Sequence, residues 1–232
     1  MDTDNDGLKE FSDTPWVFCQ LNNFRGRMGL HGHLDNVAKN LPAAANQAKH
    51  LAGIGITPEA SQNNPVLYDF LFETIWVDDA SQPLAEISLT EWLTDYATRR
   101  YGAENTNAAE AIHILAETVY KASLNMRGQG APESVINARP ALTINAASTW
   151  GNAIVGYEKT DLEEAARLLL SEYDSLSSSD AYLYDLTDIL KQVLSNTAQE
   201  IHRDMAAAYN ARDLEEFTAQ SDRFLELIEL NE

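Results

Sequence analysis

The 232 residues are 44% apolar, enough for one good core or two smaller ones, and far from the compositions of disordered or collagen-like chains. Sixteen basic against thirty-six acidic residues leave a net charge of −20; that field repels phosphate backbones and anionic lipid heads, which makes nucleic acid and membrane surfaces poor partners. The longest apolar runs, such as 66–72, are broken by Asp69 and fall short of the roughly 20 residues that span a bilayer, and the single cysteine, Cys19, precludes an internal disulfide and reads as a small buried apolar residue.

In chain order, residues 1–13 are acidic and turn-like. Within them Asp2, Asp4, Asp6, Glu10 and Asp13 with Gly7 match the positions of a calcium loop, apart from an aspartate where the twelfth position normally carries glutamate. Trp16 to Leu21, between Pro15 and Asn22-Asn23, predicts a buried strand. A loop with Gly26, Gly29 and Gly32 follows, and then a helical pattern from about Leu34 to His50 that contains Pro42. Gly53-Ile54-Gly55-Ile56-Thr57 alternates glycine with isoleucine, which suits a second strand with one crowded face. Asn63-Asn64-Pro65 supplies a cap and a first-turn proline for a helix from Val66 to Trp76, apolar almost all round and therefore expected to be buried.

Beyond residue 77 only helix signals recur. Ser88-Leu89-Thr90-Glu91 is a capping-box pattern and Gly102 closes the helix it opens. Further helices are predicted at Ala108–Leu124, Asp161–Tyr173, Asp180–Asn210 and Leu214–Leu230, around an irregular Gly/Pro/Asn-rich stretch from about Asn125 to Gly156. Strand, helix, strand, helix and then all helix predicts an α/β part, residues 1–76, followed by an α-helical domain, residues 77–232. Two parallel strands leave unpaired edges and an uncovered face, so the first part reads as incomplete, with upstream elements missing and self-association through the edges as a consequence.

Glu59 is the sharpest candidate for chemistry. It stands just past the second strand, where α/β barrels present their catalytic side chains. Glycosidases place two carboxyl groups across the sugar, and Glu59 suits one of them; position alone suits a solvated or capping glutamate as well. Trp16 and Phe18 offer rings either to a core or to a sugar face, and Asn22 and Asn23 either close a turn or bind hydroxyls. His31-Gly32-His33 puts two imidazoles at alternate positions, as some metal sites do, but in a glycine-rich loop that enters a helix.

The stretch Gly53 to Asp69, read as Gly-x-Gly-x-x-Pro-Glu followed by Gln62-Asn63 and an apolar helix ending in Trp76, resembles the α-N-acetylglucosaminidase family of retaining glycoside hydrolases. Trp16 to Phe24 is similar to that family's aromatic, then Leu-x-Asn-Phe stretch, and weaker similarity runs through Tyr96 to Gly102 and Arg139-Pro140. Arg25 stands where the family has a glycine, and Phe18 where it has tryptophan. The resemblance implies an incomplete (β/α)8 barrel end joined to a helical domain. It also implies Glu59 as nucleophile, Trp16, Phe18, Asn22 and Asn23 as pocket residues, a glycan with terminal α-linked N-acetylglucosamine as substrate, and no cofactor. The family's acid/base glutamate has no match in these residues, so the chain alone is expected to be inactive. The rival expectations are a noncatalytic helical scaffold or carbohydrate-binding piece, and a calcium-dependent module resting on residues 2–13.

Overall fold

The computed structural model describes residues 14–22, 29–59, 64–76, 83–84, 87–121, 130–144 and 153–231. The calcium-loop pattern of residues 2–13, and Asn23 and Arg25, lie outside them.

Strand β1 (Trp16–Gln20) pairs in parallel with β2 (Leu51–Ile56), and α1 (Leu34–Gln47) makes the crossover between them. The register sets Phe18 beside Ile54 and Gln20 beside Ile56 on one face, and Val17 beside Gly53 and Cys19 beside Gly55 on the other. Phe18, Ile54 and Ile56 pack against the main core. The opposite face is open: Val17 is 55% exposed and Cys19 is exposed, which corrects the buried reading of that cysteine. The crowding expected at the glycines is also not found among the described residues, since a Cβ on Gly53 would meet nothing within 4 Å.

Helix α1 runs through Pro42, which is buried in its last turns. Helix α2 (Pro65–Glu73) has proline in its first turn, where the missing N–H leaves no bond unmade. It buries Val66, Leu67, Phe70 and Leu71 and ends before Trp76, which is 81% exposed rather than buried.

The helical part begins with α3 (Leu89–Tyr101), where Ser88 Oγ accepts from Glu91 N at 3.4 Å. It stops at Gly102, whose φ of 79° is the left-handed geometry that a Cβ disfavours. Helix α4 (Thr106–Glu117) is capped by Asn105 Oδ1 on Ala108 N at 2.8 Å. It ends seven residues short of Leu124: Leu115 O accepts from both Thr118 N and Tyr120 N, which closes the last turn on itself. The pattern read as one helix to Tyr173 divides into α5 (Lys159–Ser171) and the short α6 (Tyr173–Leu176). Glu172 sits at the break, its carboxylate accepting from the amides of Asn105 at 2.7 Å and Asn107 at 2.6 Å. The long α7 (Asp180–Ala211) reverses at Arg212, with φ of 57°, into α8 (Leu214–Asn231).

One continuous core joins the two parts, from Leu34, Leu41, Leu67 and Phe70 through Trp92, Tyr96 and Leu115 to Leu162, Leu169, Tyr182 and Ile189. A second cluster, with Val135, Ala198, Ile201 and Leu227, packs α8 onto the far half of α7. The strand layer therefore rests on the helical bundle, with its other face open.

Candidate functional site

Glu59 follows the end of β2 by three residues, and the pairing of the strands reaches almost to it. Thr57 N donates to Gln20 O at 3.0 Å, and Thr57 Oγ1 donates to the same carbonyl at 3.3 Å. Thr57, Pro58 and Glu59 then emerge into solvent. A strand anchored up to two residues before an exposed carboxylate holds that group at the C-terminal edge of the sheet, and Pro58 fixes one backbone angle in between.

The loop after β1 is fixed by a buried amide cluster. Asn22 Nδ2 donates to His31 O at 3.2 Å and to Asn64 Oδ1 at 3.4 Å, and the same Asn64 oxygen accepts from His31 N at 2.8 Å. Asn22, His31 and Asn64 are each only 2% exposed. Asn64 occupies the N-cap position of α2, yet its side chain makes no cap bond; its oxygen instead joins the loop after β1 to the loop after β2. A buried amide of this kind is costly unless its partners are in place, so the cluster favours one arrangement of the two loops.

The same loop is also tied to the helical part. Leu30 N donates to Gln192 Oε1 at 2.9 Å, Gln192 Nε2 donates to Asn196 Oδ1 at 3.0 Å, and Asn196 Nδ2 donates to Tyr157 Oη at 3.1 Å. Gln192 and Asn196 are buried, and burial pushes the Tyr157 phenol up to about 12. Leu34 N adds a bond to Tyr120 O at 2.9 Å. Gly29 lies so close to Gln192 that a Cβ would stand 2.8 Å from its Oε1. Sequence reasoning missed Gln192 and Asn196; their only signal is two amides at i and i+4 on the buried face of α7.

The other expected pocket residues are placed differently from Glu59. Phe18 lies on the helix-facing side of β1, packed into the core, and the half-buried Trp16 has the same parity on the strand. The Phe18 ring is therefore not on the open face, and the register of the two strands shifts between Trp16 and Val17. Asn22 is buried, with both bonds of its Nδ2 made to protein groups, so it shapes the loop rather than presenting its amide to solvent. His31 and His33 meet edge to face, ring centroids 4.8 Å apart, and burial lowers the His33 pKa against an opposing pull from Asp35. Among the described residues no group of three or more His, Cys, Asp or Glu is arranged to hold a metal ion, and no helix is long and apolar enough to cross a membrane.

Behind the loops, α3 and α7 carry a half-buried ion pair. Arg100 Nε and Nη2 donate to the two oxygens of Asp185 at 2.5 and 2.7 Å, and Tyr101 Oη donates to Asp185 Oδ2 at 3.1 Å. One turn on, burial raises Asp188 to about 6, opposed by Lys191 and reinforced by the negative charge of Asp185.

Two family profiles match this chain: the α-N-acetylglucosaminidase (NAGLU) TIM-barrel domain over residues 3–78 and the α-N-acetylglucosaminidase (NAGLU) C-terminal domain over residues 92–232. The human α-N-acetylglucosaminidase is 33% identical over 206 residues, which make up 88% of this chain and 26% of that protein. A family 89 glycoside hydrolase from Clostridium perfringens, solved in complex with PUGNAc, superposes with a TM-score of 0.87 at 44% identity, over 94% of this chain and 24% of its own. A double glutamate-to-glutamine form of the Clostridium perfringens enzyme, in complex with its substrate GlcNAc-α-1,4-galactose, gives a TM-score of 0.86 at the same 44% identity. The chain thus spans about a quarter of the length of the relatives it matches.

Proposed function

The chain belongs to the α-N-acetylglucosaminidase family of glycoside hydrolases, as part of its TIM barrel and its helical C-terminal domain, and from that premise we propose that it supplies the nucleophile for hydrolysing terminal α-linked N-acetylglucosamine with retention. The observation that supports this most directly is the placement of Glu59, exposed at the C-terminal edge of β2 just beyond the last bond to β1. A carboxylate so placed can attack the anomeric carbon from the face opposite the aglycone. An acid/base carboxyl group then protonates the leaving oxygen and later activates water against the glycosyl ester on Glu59, and the two inversions restore the α configuration.

In this reading Asn22 and Asn64 set the distance between the two loops, and Gln192 carries that setting to the helical part. Phe18 supports the wall from its core side, Trp16 offers its ring to the sugar face, and Asn23 is assigned by the resemblance to the sugar hydroxyls. The barrel part is residues 1–76 and the helical domain 77–232. The resemblance assigns the acid/base to no residue of this chain, so the 232 residues alone turn over no substrate. The rival reading, a noncatalytic scaffold, predicts no activity in any context.

The test is hydrolysis of an aryl α-N-acetylglucosaminide, followed by proton NMR of the first-formed sugar. An enzyme-length chain carrying these residues releases the α anomer before mutarotation, and the 232-residue chain alone releases none. A first-formed β anomer contradicts retention, and turnover by the 232-residue chain contradicts the need for a second carboxyl group outside it.

A further inference from the structure

The outer face of α2, the facing side of α3 and the start of α7 enclose an open cleft of about 420 Å³. Asp69, Phe72 and Glu73 recur at helical spacing along its α2 wall, with Trp76 just past the end of that helix, and Arg99 and Arg100 stand on the α3 wall. The two arginines are held in place. Arg100 is fixed by Asp185, and Arg99 lies 5.8 Å over the Trp92 ring and 3.4 Å from the Glu73 carboxylate.

The side chains of Trp76 and Asp69, both in the cleft, make no hydrogen bond among the described residues. The Trp76 indole is 81% exposed, the most exposed large apolar side chain among the described residues. The Asp69 carboxylate is close enough to both guanidinium groups to feel their charge, yet no hydrogen bond reaches it among the described residues. A flat indole face, a free carboxylate and a fixed guanidinium are together the complement of a pyranose: the ring's C–H face lies on the indole, paired hydroxyls donate to the carboxylate, and ring substituents accept from the guanidinium. Asp69 and Glu73 balance Arg99 and Arg100, so the cleft has little charge of its own, and the −20 of the whole chain repels polyanions. Four charged side chains among the lining residues, beside the rings of Phe72, Trp76 and Tyr96, are also unlike the charge-depleted centre of a protein interface.

We propose that this cleft is a second saccharide site, which takes a neutral pyranose residue of a glycan chain, with Trp76 beneath the ring and Asp69 accepting from its hydroxyls. The end of α2 at Glu73 is eight residues beyond Pro65, roughly 12 Å along the helix axis from the end nearest Glu59, and Trp76 follows it. A sugar here is therefore distinct from one at Glu59. The site would hold another arm or repeat of a branched or polymeric glycan and raise its local concentration at the catalytic edge. This inference stands whether or not Glu59 is the nucleophile.

The experiment is titration of the 232-residue chain with GlcNAc-α-1,4-galactose, read by saturation-transfer NMR and by tryptophan fluorescence. The expected result is saturable binding with a Kd on the order of 1 mM, as befits a single-sugar contact. It is lost at least tenfold in Trp76→Ala and in Asp69→Ala, partly retained in Trp76→Phe and unchanged in Glu59→Ala. Circular dichroism melting of each variant checks that the fold survives, which the exposure of Trp76 favours. Binding that persists in Trp76→Ala, binding lost in Glu59→Ala instead, or no saturable signal up to tens of millimolar sugar would each overturn the proposal.

Discussion

The two parts of the molecule use the same kind of residue in different ways. In the helical part the side chains at four helix starts serve their own helices, those of α5 and the short α6 being the exceptions: Ser88 accepts from Glu91 N, Asn105 from Ala108 N, Ser179 from Tyr182 N and Asp213 from Glu216 N. In the strand part neither α1 nor α2 has a side-chain cap, and the asparagine that should cap α2 joins two loops instead. The helical part mostly follows local rules. The strand part departs from them where two strand-end loops are held in register beside an exposed carboxylate, and such departures are expected at functional sites.

That contrast can be broken from either side. The largest effect is expected in the helical part. Arg100→Ala strands Asp185, whose side chain is 14% exposed, and should destabilise the chain by about 3 kcal/mol, read as a lower urea midpoint with unchanged slope. A loss under about 1 kcal/mol would make the pair an ordinary surface contact.

Asn64→Ala leaves His31 N–H and the Asn22 amide without their shared acceptor, at a cost of about 2 kcal/mol. Hydrogen exchange should quicken at the His31 amide and stay unchanged in the first turn of α2, because Asn64 does not cap that helix. Fraying confined to α2 would show that it does.

Asp188→Asn should stabilise the chain at pH 7.5 by about 1 kcal/mol, after allowance for partial exposure. The sign follows from a folded pKa near 6 above an ordinary 3.8. The folded state takes up the proton first, so the wild-type chain gains stability as pH falls from above 6 towards 3.8. The variant lacks that gain, and the advantage it shows at pH 7.5 should vanish near pH 4. Urea midpoints at the two pH values check this, and an advantage that does not depend on pH would refute it. The smallest effect is Ser88→Ala, about 0.5 kcal/mol with fraying of the first turn of α3 only. Exchange that spreads to the loop at Leu30 would erase the distinction between the two parts.

Much of the helical part is legible in the sequence because its signals are local. Ser88 with Glu91 and Gly102 bound α3, and the apolar spacing along 180–211 carries α7. Both strands and their helical crossover are legible for the same reason. What escapes is set by contacts between distant residues. Asn64-Pro65 reads as a cap, and only the arrival of His31 and Asn22 redirects its oxygen. The break between α5 and α6 follows from Asn105 and Asn107 binding Glu172, and Gln192 and Asn196 look like two ordinary polar residues until Leu30 and Tyr157 meet them. Which face of β1 meets the core is decided by α1 and α2, and that places Phe18 inward and Cys19 outward. The position of Glu59 just past a strand is legible from the Gly-Ile alternation and the Thr57-Pro58 that follow one another before it.

The most direct measurement is the anomeric configuration of the product formed with azide by the Glu59→Ala variant of an enzyme-length chain, using an activated α-N-acetylglucosaminide. Alanine removes the attacking oxygen and leaves room for a small anion, so hydrolysis should fall by several orders of magnitude while binding is largely kept. With Glu59 as nucleophile, azide attacks once from the vacated side and the product is the β-glycosyl azide, identified by its large anomeric coupling. An α-azide would instead mean that azide intercepted an intermediate on another carboxylate, making Glu59 the acid/base, and near-normal hydrolysis by the variant would remove Glu59 from the mechanism.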